Sequence, residues 1–203
     1  MEISELKTAE KEKINSIVDV HMDSFEGFFL TFLGKGFLRQ LYRGFVEHKG
    51  SGLIIATRDS NVIGFLAYSN DISLFYKYLI KKHLIVFAFY AFQGFIRRPG
   101  IFFRLVRALA YPNESKRDEN YIELSSIGVS PKYSDSGVGT QLIDRLKDIV
   151  DGKSAVYIKL ETDAENNDKA NCFYRKNGFQ LHHMYETREK RKMNEYRFYL
   201  ESR

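Results

Sequence analysis

A chain of 203 residues that is 44% hydrophobic is long enough to bury a sizeable core, and its single cysteine, Cys172, excludes both a disulfide framework and a cysteine-based zinc site. The five histidines show no metal-ligand spacing with carboxylates, no apolar run reaches the roughly 18 residues of a membrane span, and no secretory leader is recognisable. The expectation is a soluble cytoplasmic protein with no metal and no nucleic-acid partner. Its net charge of +5 is local, because 73–113 holds seven Lys or Arg and no acid.

In chain order, residues 2–7 read as a first strand. Thr8 is placed to cap the helix that follows, with Glu10 and Glu12 in its first turn and Ile14, Ile17, Val18 and His21 along one buried stripe. Residues 25–33 are too apolar for an ordinary loop. A second helix runs over 36–48, with Phe37, Leu38, Leu41, Tyr42 and Phe45 at helical spacing. Strands 52–58 and 61–68, joined by Asp59-Ser60, form an antiparallel hairpin. After an excursion over 71–120 comes strand 121–129, which Pro131 ends because its nitrogen has no proton for the ladder. Gly137 and Gly139 then lead into helix 140–151, closed by Gly152, and strand 155–162 completes a right-handed βαβ unit. A short helix, 168–176, stops at Gly178. Strands 179–187 and 195–201, joined by 188–194, form a closing hairpin. The order β-α-α-β-β-β-α-β-α-β-β predicts an α/β fold with a mixed sheet and helices on both faces. It reads as one domain over 1–203, with a helical insertion, 71–120, between the third and fourth strands.

The insertion predicts a helix over 78–95, flanked by Lys81-Lys82 and Arg97-Arg98, then a break at Pro99-Gly100 and a second helix over 101–109. Its apolar stretch, 84–96, is too short to span a bilayer. Three readings stay open: a lid over a substrate site, which is preferred, a homodimer interface, or peripheral contact with a membrane surface, which is not favoured.

Strand, glycine turn and helix N-terminus together make an anion site, since turn N–H groups and helix dipole point to one place. Two motifs give this a context. Val129-x-Pro131 followed by Ser134-Asp-Ser-Gly137-Val-Gly139 resembles the acetyl-CoA loop Gln/Arg-x-x-Gly-x-Gly/Ala of the GNAT N-acetyltransferases. Asn167-x-x-Ala170-x-x-Phe173-Tyr174-x-x-x-Gly178-Phe179 is similar to that family's second cofactor motif. The order of elements is similar as well.

The resemblance implies acetyl-CoA as cofactor and direct acetyl transfer to a primary amine of a small-molecule acceptor; the basic, aromatic insertion makes a nucleotide-linked amino sugar the leading guess. It implies that Ser134, Asp135, Ser136, Gly137, Val138, Gly139 and Thr140 hold the pyrophosphate. Asn167 and Ala170 join the cofactor site. A backbone N–H of Ile127, Gly128 or Val129 meets the thioester carbonyl, with Gly128 marking a bulge that splays the strand. Glu123, eleven residues before Ser134, matches the family's general base; it is the only acid in 121–129, on the parity of Ser125 and Ile127. Tyr174 matches the general acid and also lines the cofactor site. Phe28, Phe29, Arg97 and Arg98 are the expected acceptor contacts. The family's loop begins with Gln or Arg where this chain has Ser134, and Asp135 stands where a glycine is usual, so the loop must hold phosphate by its backbone. Cys172 reads as a small buried residue. A protein N-terminal or lysine acetyltransferase, and a non-catalytic acyl-CoA-binding or membrane-docking module, are the alternatives.

Overall fold

The computed structural model describes residues 1–25, 27–83, 119–150, 155–187 and 190–200. The chain forms β1 (Glu2–Glu5), α1 (Lys11–Ser24), α2 (Phe29–Phe32), α3 (Gly34–Glu47), β2 (Ser51–Arg58) and β3 (Asn61–Ser69). A helical stretch over 72–83 follows (α4). Then come β4 (Tyr121–Val129), α5 (Val138–Ile149), β5 (Tyr157–Asp163), α6 (Asp168–Lys176), β6 (Gln180–Glu186) and β7 (Lys192–Tyr199). The strands make one seven-stranded sheet in the order β1-β2-β3-β4-β5-β7-β6. The fold class is the mixed α/β sheet that the order of elements predicts.

Two cores form, one on each face of the sheet. On one face α1, α3 and α4 bury Ile17, Val18, Leu38, Tyr42, Phe45, Phe75 and Leu79 against Leu53, Ile55, Phe65 and Ala67. On the other, α5 sets Leu142, Ile143 and Leu146 against Ile54, Leu66, Leu124 and Ile158. The alternation along β2 and β3 produces this, since successive residues point to opposite faces. The β2–β3 turn places Asp59 and Ser60 at φ +50° and +65°, the left-handed pair whose twist matches a two-residue hairpin.

Several boundaries differ from expectation. Glu10, not Thr8, is the N-cap of α1, and no side chain caps that end; the Thr8 hydroxyl donates instead to the Glu10 carboxylate at 3.3 Å. Helix α5 begins at Val138 rather than 140 because Gly137, at φ +80°, already serves as its N-cap. Strand β7 begins at Lys192 rather than 195: Arg191 grips Asp163 and Lys192 pairs with Glu165, tying its start to the end of β5. Cys172 is exposed, not buried. Gly152 and residues 84–118, with Arg97, Arg98 and most of the expected insertion, lie outside the described residues. Among the described residues no helix is long and apolar enough to cross a membrane.

Candidate active site

Among the described residues the only parallel pairing in the sheet joins β4 to β5, and it spans three pairs, from Tyr121↔Tyr157 to Glu123↔Lys159. Strand β4 stays paired with β3 as far as Val129↔Gly64, and β5 with β7 as far as Asp163↔Met193. Beyond Glu123 and Lys159 the two strands therefore part, leaving a wedge in the middle of the sheet. Both strands run toward its open end, so the helices that follow them, α5 and α6, start beside it. Glu123 stands at the apex.

A β-bulge re-aims the residues of β4. Ala67 pairs with Ser126 but Tyr68 with Leu124, so Ser125 is the extra residue. The expected bulge at Gly128 is thus three residues off. Glu123 and Ser126 consequently share the face of α1 and α3, while Ile127 and Val129 join Leu124 on the α5 face. That overturns the parity assigned to Glu123 and Ile127. Gly128 has another reason to be glycine: a Cβ there would lie 2.8 Å from Phe65 and 3.1 Å from Phe25. The Ser125 hydroxyl is buried with no hydrogen-bond partner.

Around Glu123 the sheet carries charge and phenols. The Lys159 ammonium lies 2.7 Å from Glu161 and 3.7 Å from Glu195, whose other oxygen accepts from Arg197 at 2.7 Å. Tyr185 donates to Glu161 at 2.6 Å. Burial alone would lower the Lys159 ammonium, but Glu161, with Glu123 adding its field, raises it overall and keeps it charged. Burial and the charge of Glu123 push the Tyr76 phenol, on α4, up to about 12. Lysine and tyrosines from β5, β6 and α4 thus all feel Glu123.

At the wedge's open end, Pro131–Tyr133 form a short 3-10 turn. The Ser136 hydroxyl donates to the Tyr133 carbonyl at 2.6 Å, and Asp135 and Gly137 hold positive φ. No side chain caps α5 and its first turn holds no acid. The N–H groups of Val138, Gly139 and Thr140 therefore point out of the helix uncapped. A Cβ on Gly139 would come 2.9 Å from the Phe173 ring, so this glycine lets α6 close against α5. Lys169, in the first turn of α6, reaches the loop with its ammonium 3.0 Å from both the Ser134 hydroxyl and Asp135 Oδ2.

Asn167 holds the N-cap position of α6, yet its side chain caps nothing; its amide donates to the Thr162 hydroxyl at 2.7 Å. Its backbone carbonyl accepts the first intrahelical bond from the Asn171 N–H at 3.0 Å and a second from the Asn171 side chain at 2.8 Å. Asn171, which no motif singles out, is 5% exposed and ties three elements together, α6, β5 and β7. Its amide also donates to the Asp163 carbonyl at 2.9 Å, and its oxygen accepts from Asn194 and Tyr196 at 2.9 and 3.0 Å. An asparagine on the apolar side of a short amphipathic helix was the available signal. Ala170, one turn into α6, is part-buried. Tyr174 packs against Phe173, Phe179 and Tyr196. Burial pushes its phenol up to about 12. Phe28 is exposed, its ring 5.4 Å from Phe25; Phe29 begins α2, and its side chain lies outside the described residues.

The model of the acetyltransferase (GNAT) family matches residues 14–179. No curated protein matches by sequence. Solved structures with the same fold include the paiA N-acetyltransferase of Thermoplasma acidophilum in complex with coenzyme A, at 15% identity over 98% of this chain and 100% of that one, TM-score 0.60. An aminoglycoside 6'-N-acetyltransferase complexed with coenzyme A is 13% identical over 100% and 99%, TM-score 0.61. The ribosomal-protein-S18-alanine N-acetyltransferase of Escherichia coli is 14% identical over 100% and 95%, TM-score 0.55. With the family model spanning most of its length, this chain belongs to the GNAT family of acetyltransferases.

Proposed function

We propose that the protein is an acetyl-CoA-dependent N-acetyltransferase that transfers acetyl directly to a primary amine of a small acceptor. The observation that carries this reading is the wedge between β4 and β5, with uncapped helix N–H groups at its mouth and Glu123 at its apex. Its fit to the coenzyme rests on the Gly137 N-cap, which has no side chain to block a phosphate, and on the free amides of Val138, Gly139 and Thr140. Acetyl-CoA, when bound, supplies a thioester whose acyl carbon an amine can attack with loss of the thiolate.

The chain's own residues supply the rest. The loop Ser134–Thr140 holds the pyrophosphate through its amides. Along the unpaired edge of β4, a backbone N–H among Ile127–Val129 polarises the thioester carbonyl. Glu123, on the opposite face from α5, takes the proton of the acceptor ammonium, directly or through water, since an amine of pKa near 10 is mostly protonated at neutral pH. Tyr174 returns a proton to the departing thiolate; with its phenol at about 12 it stays protonated through any ordinary assay.

For the acceptor, the excess of Lys and Arg over 73–113 supports a nucleotide-linked amino sugar, whose phosphates those cations would meet. A second reading, a protein N-terminus or lysine, is favoured by the carboxylates Glu161 and Glu195 beside Glu123. Incubation of the purified protein with acetyl-CoA and amines of both classes, following thiol release, separates them. Glu123→Gln should lower kcat on the preferred amine by roughly 10²–10³-fold and leave CoA affinity unchanged. Tight CoA binding with no turnover of any amine would leave only a coenzyme-binding role.

A further inference from the structure

Asp135 is an unexpected neighbour for an anion. It lies two residues before the Gly137 N-cap of α5, where the helix end and turn amides create positive potential. A carboxylate there opposes that potential and would repel a phosphate. The loop itself brings no compensation, since Ser134–Thr140 contains neither Lys nor Arg.

Compensation comes from another helix. The Lys169 ammonium sits 3.0 Å from Asp135 Oδ2 and 3.0 Å from Ser134 Oγ. Asp135 and Lys169 are 76% and 75% exposed, so their pairing adds little to folding. Nor does α6 account for the lysine, because the first turn of a helix is the unfavourable end for a cation. Lys169 is therefore held against the loop that leads into α5 by a partner that contributes little to the fold, with three quarters of its side chain exposed to solvent.

We propose that Lys169 is the cationic contact of the coenzyme's phosphates, supplied from α6 rather than from the loop, and that Asp135 is its resting partner. On binding, the ammonium exchanges the Asp135 carboxylate for a phosphate oxygen, and Asp135 tunes affinity by competing for it. This rests on the coenzyme reading above and adds to it a residue that lies outside the glycine loop.

Calorimetry with CoA and with pantetheine, which lacks the phosphates, tests it on wild type, Lys169→Ala, Asp135→Asn and the double variant, with Lys13→Ala as a charge control on α1. The expected result is a Kd for CoA raised about tenfold in Lys169→Ala, unchanged in Lys13→Ala, and unchanged for pantetheine throughout. Asp135→Asn should bind CoA as tightly as wild type or more so, and the double variant should stay weaker than Asp135→Asn. Equal affinity of those two would mean that Lys169 only neutralises Asp135, and would overturn the phosphate contact. So would an unchanged Kd in Lys169→Ala. If wild type itself fails to bind CoA at tens of micromolar, the coenzyme reading falls and takes this inference with it. Unchanged melting temperatures, expected for so exposed a pair, show that any loss is not one of folding.

Discussion

At the scale of single residues, His21 shows how the core on the α1 and α3 face meets β4. It is 3% exposed, with Nδ1 2.6 Å from the hydroxyl of Tyr42, a phenol that burial pushes up and the neighbouring Ser126 side chain on β4 draws down. The Phe25 and Phe65 rings flank it, and its Nε2 is buried without a partner. Burial lowers its pKa from the ordinary 6.5 to about 4, so the folded protein carries a neutral imidazole near neutral pH. Below pH 6.5 the unfolded chain binds a proton that the folded one refuses, so stability is full above pH 6.5 and falls as pH drops toward 4. Between pH 7.5 and 5 this one group should remove about 2 kcal/mol. Urea unfolding of wild type and His21→Asn at both pH values would read it as a difference between the two proteins that shifts by that amount in favour of the variant at pH 5; an unchanged difference would mean that His21 takes up a proton as readily folded as unfolded. The helical stripe Ile14-Ile17-Val18-His21 made the burial legible. The link to Ser126 was not, because it depends on which face of β4 that serine takes.

Elements set that face. The bulge at Ser125 is invisible in Tyr121–Val129 because it is a relation between β4 and β3, and β3 gives the same residues to either register. What local chemistry dictates was readable: the strand ends before Pro131, the Asn167–Phe179 helix stops at Gly178 with φ +85°, and the glycine pair opens α5. The Lys169–Asp135 contact, 34 residues apart, was as hidden as the bulge for the same reason. Gly137 is the element-scale test. Its φ of +80° is costly for an L-residue, while a Cβ there would touch nothing within 4 Å, so Gly137→Ala acts through backbone conformation alone. It should cost about 1 kcal/mol of stability, a fall in Tm of roughly 2–4 °C for a chain of this size. Because the same φ aims the first amides of α5, CoA affinity should drop by more than that strain explains. A thermal melt with calorimetry on one preparation compares the two; a Tm loss with unchanged Kd would show that the loop's amides do not hold the ligand.

Across the whole molecule the sheet separates two cores with different dependencies. Leu38 and Leu142 are both 0% exposed, one in α3 on the Glu123 face, the other one turn into α5. Truncating either to Ala removes the same atoms from a closed core, and each should cost about 2–5 kcal/mol. Their effects on the ligand should differ. A ligand at 100 times its Kd stabilises the folded state by about 2.7 kcal/mol, or roughly 5–10 °C in Tm here. The cavity left by Leu38→Ala lies across the sheet from the loop, so the Kd for CoA and the stabilisation by ligand should stay as in wild type. The cavity left by Leu142→Ala lies beneath the first turns of α5 and beside Gly64, whose Cβ would be 3.3 Å from Leu142 Cδ1. There the helix can settle, its amides shift, and Kd should rise several-fold. Equal Kd in both variants would mean that the α5 N-terminus is held by its loop and not by the core beneath it. A raised Kd in Leu38→Ala would mean that the two faces respond as one body, with β4 transmitting the change through the strand that carries Glu123.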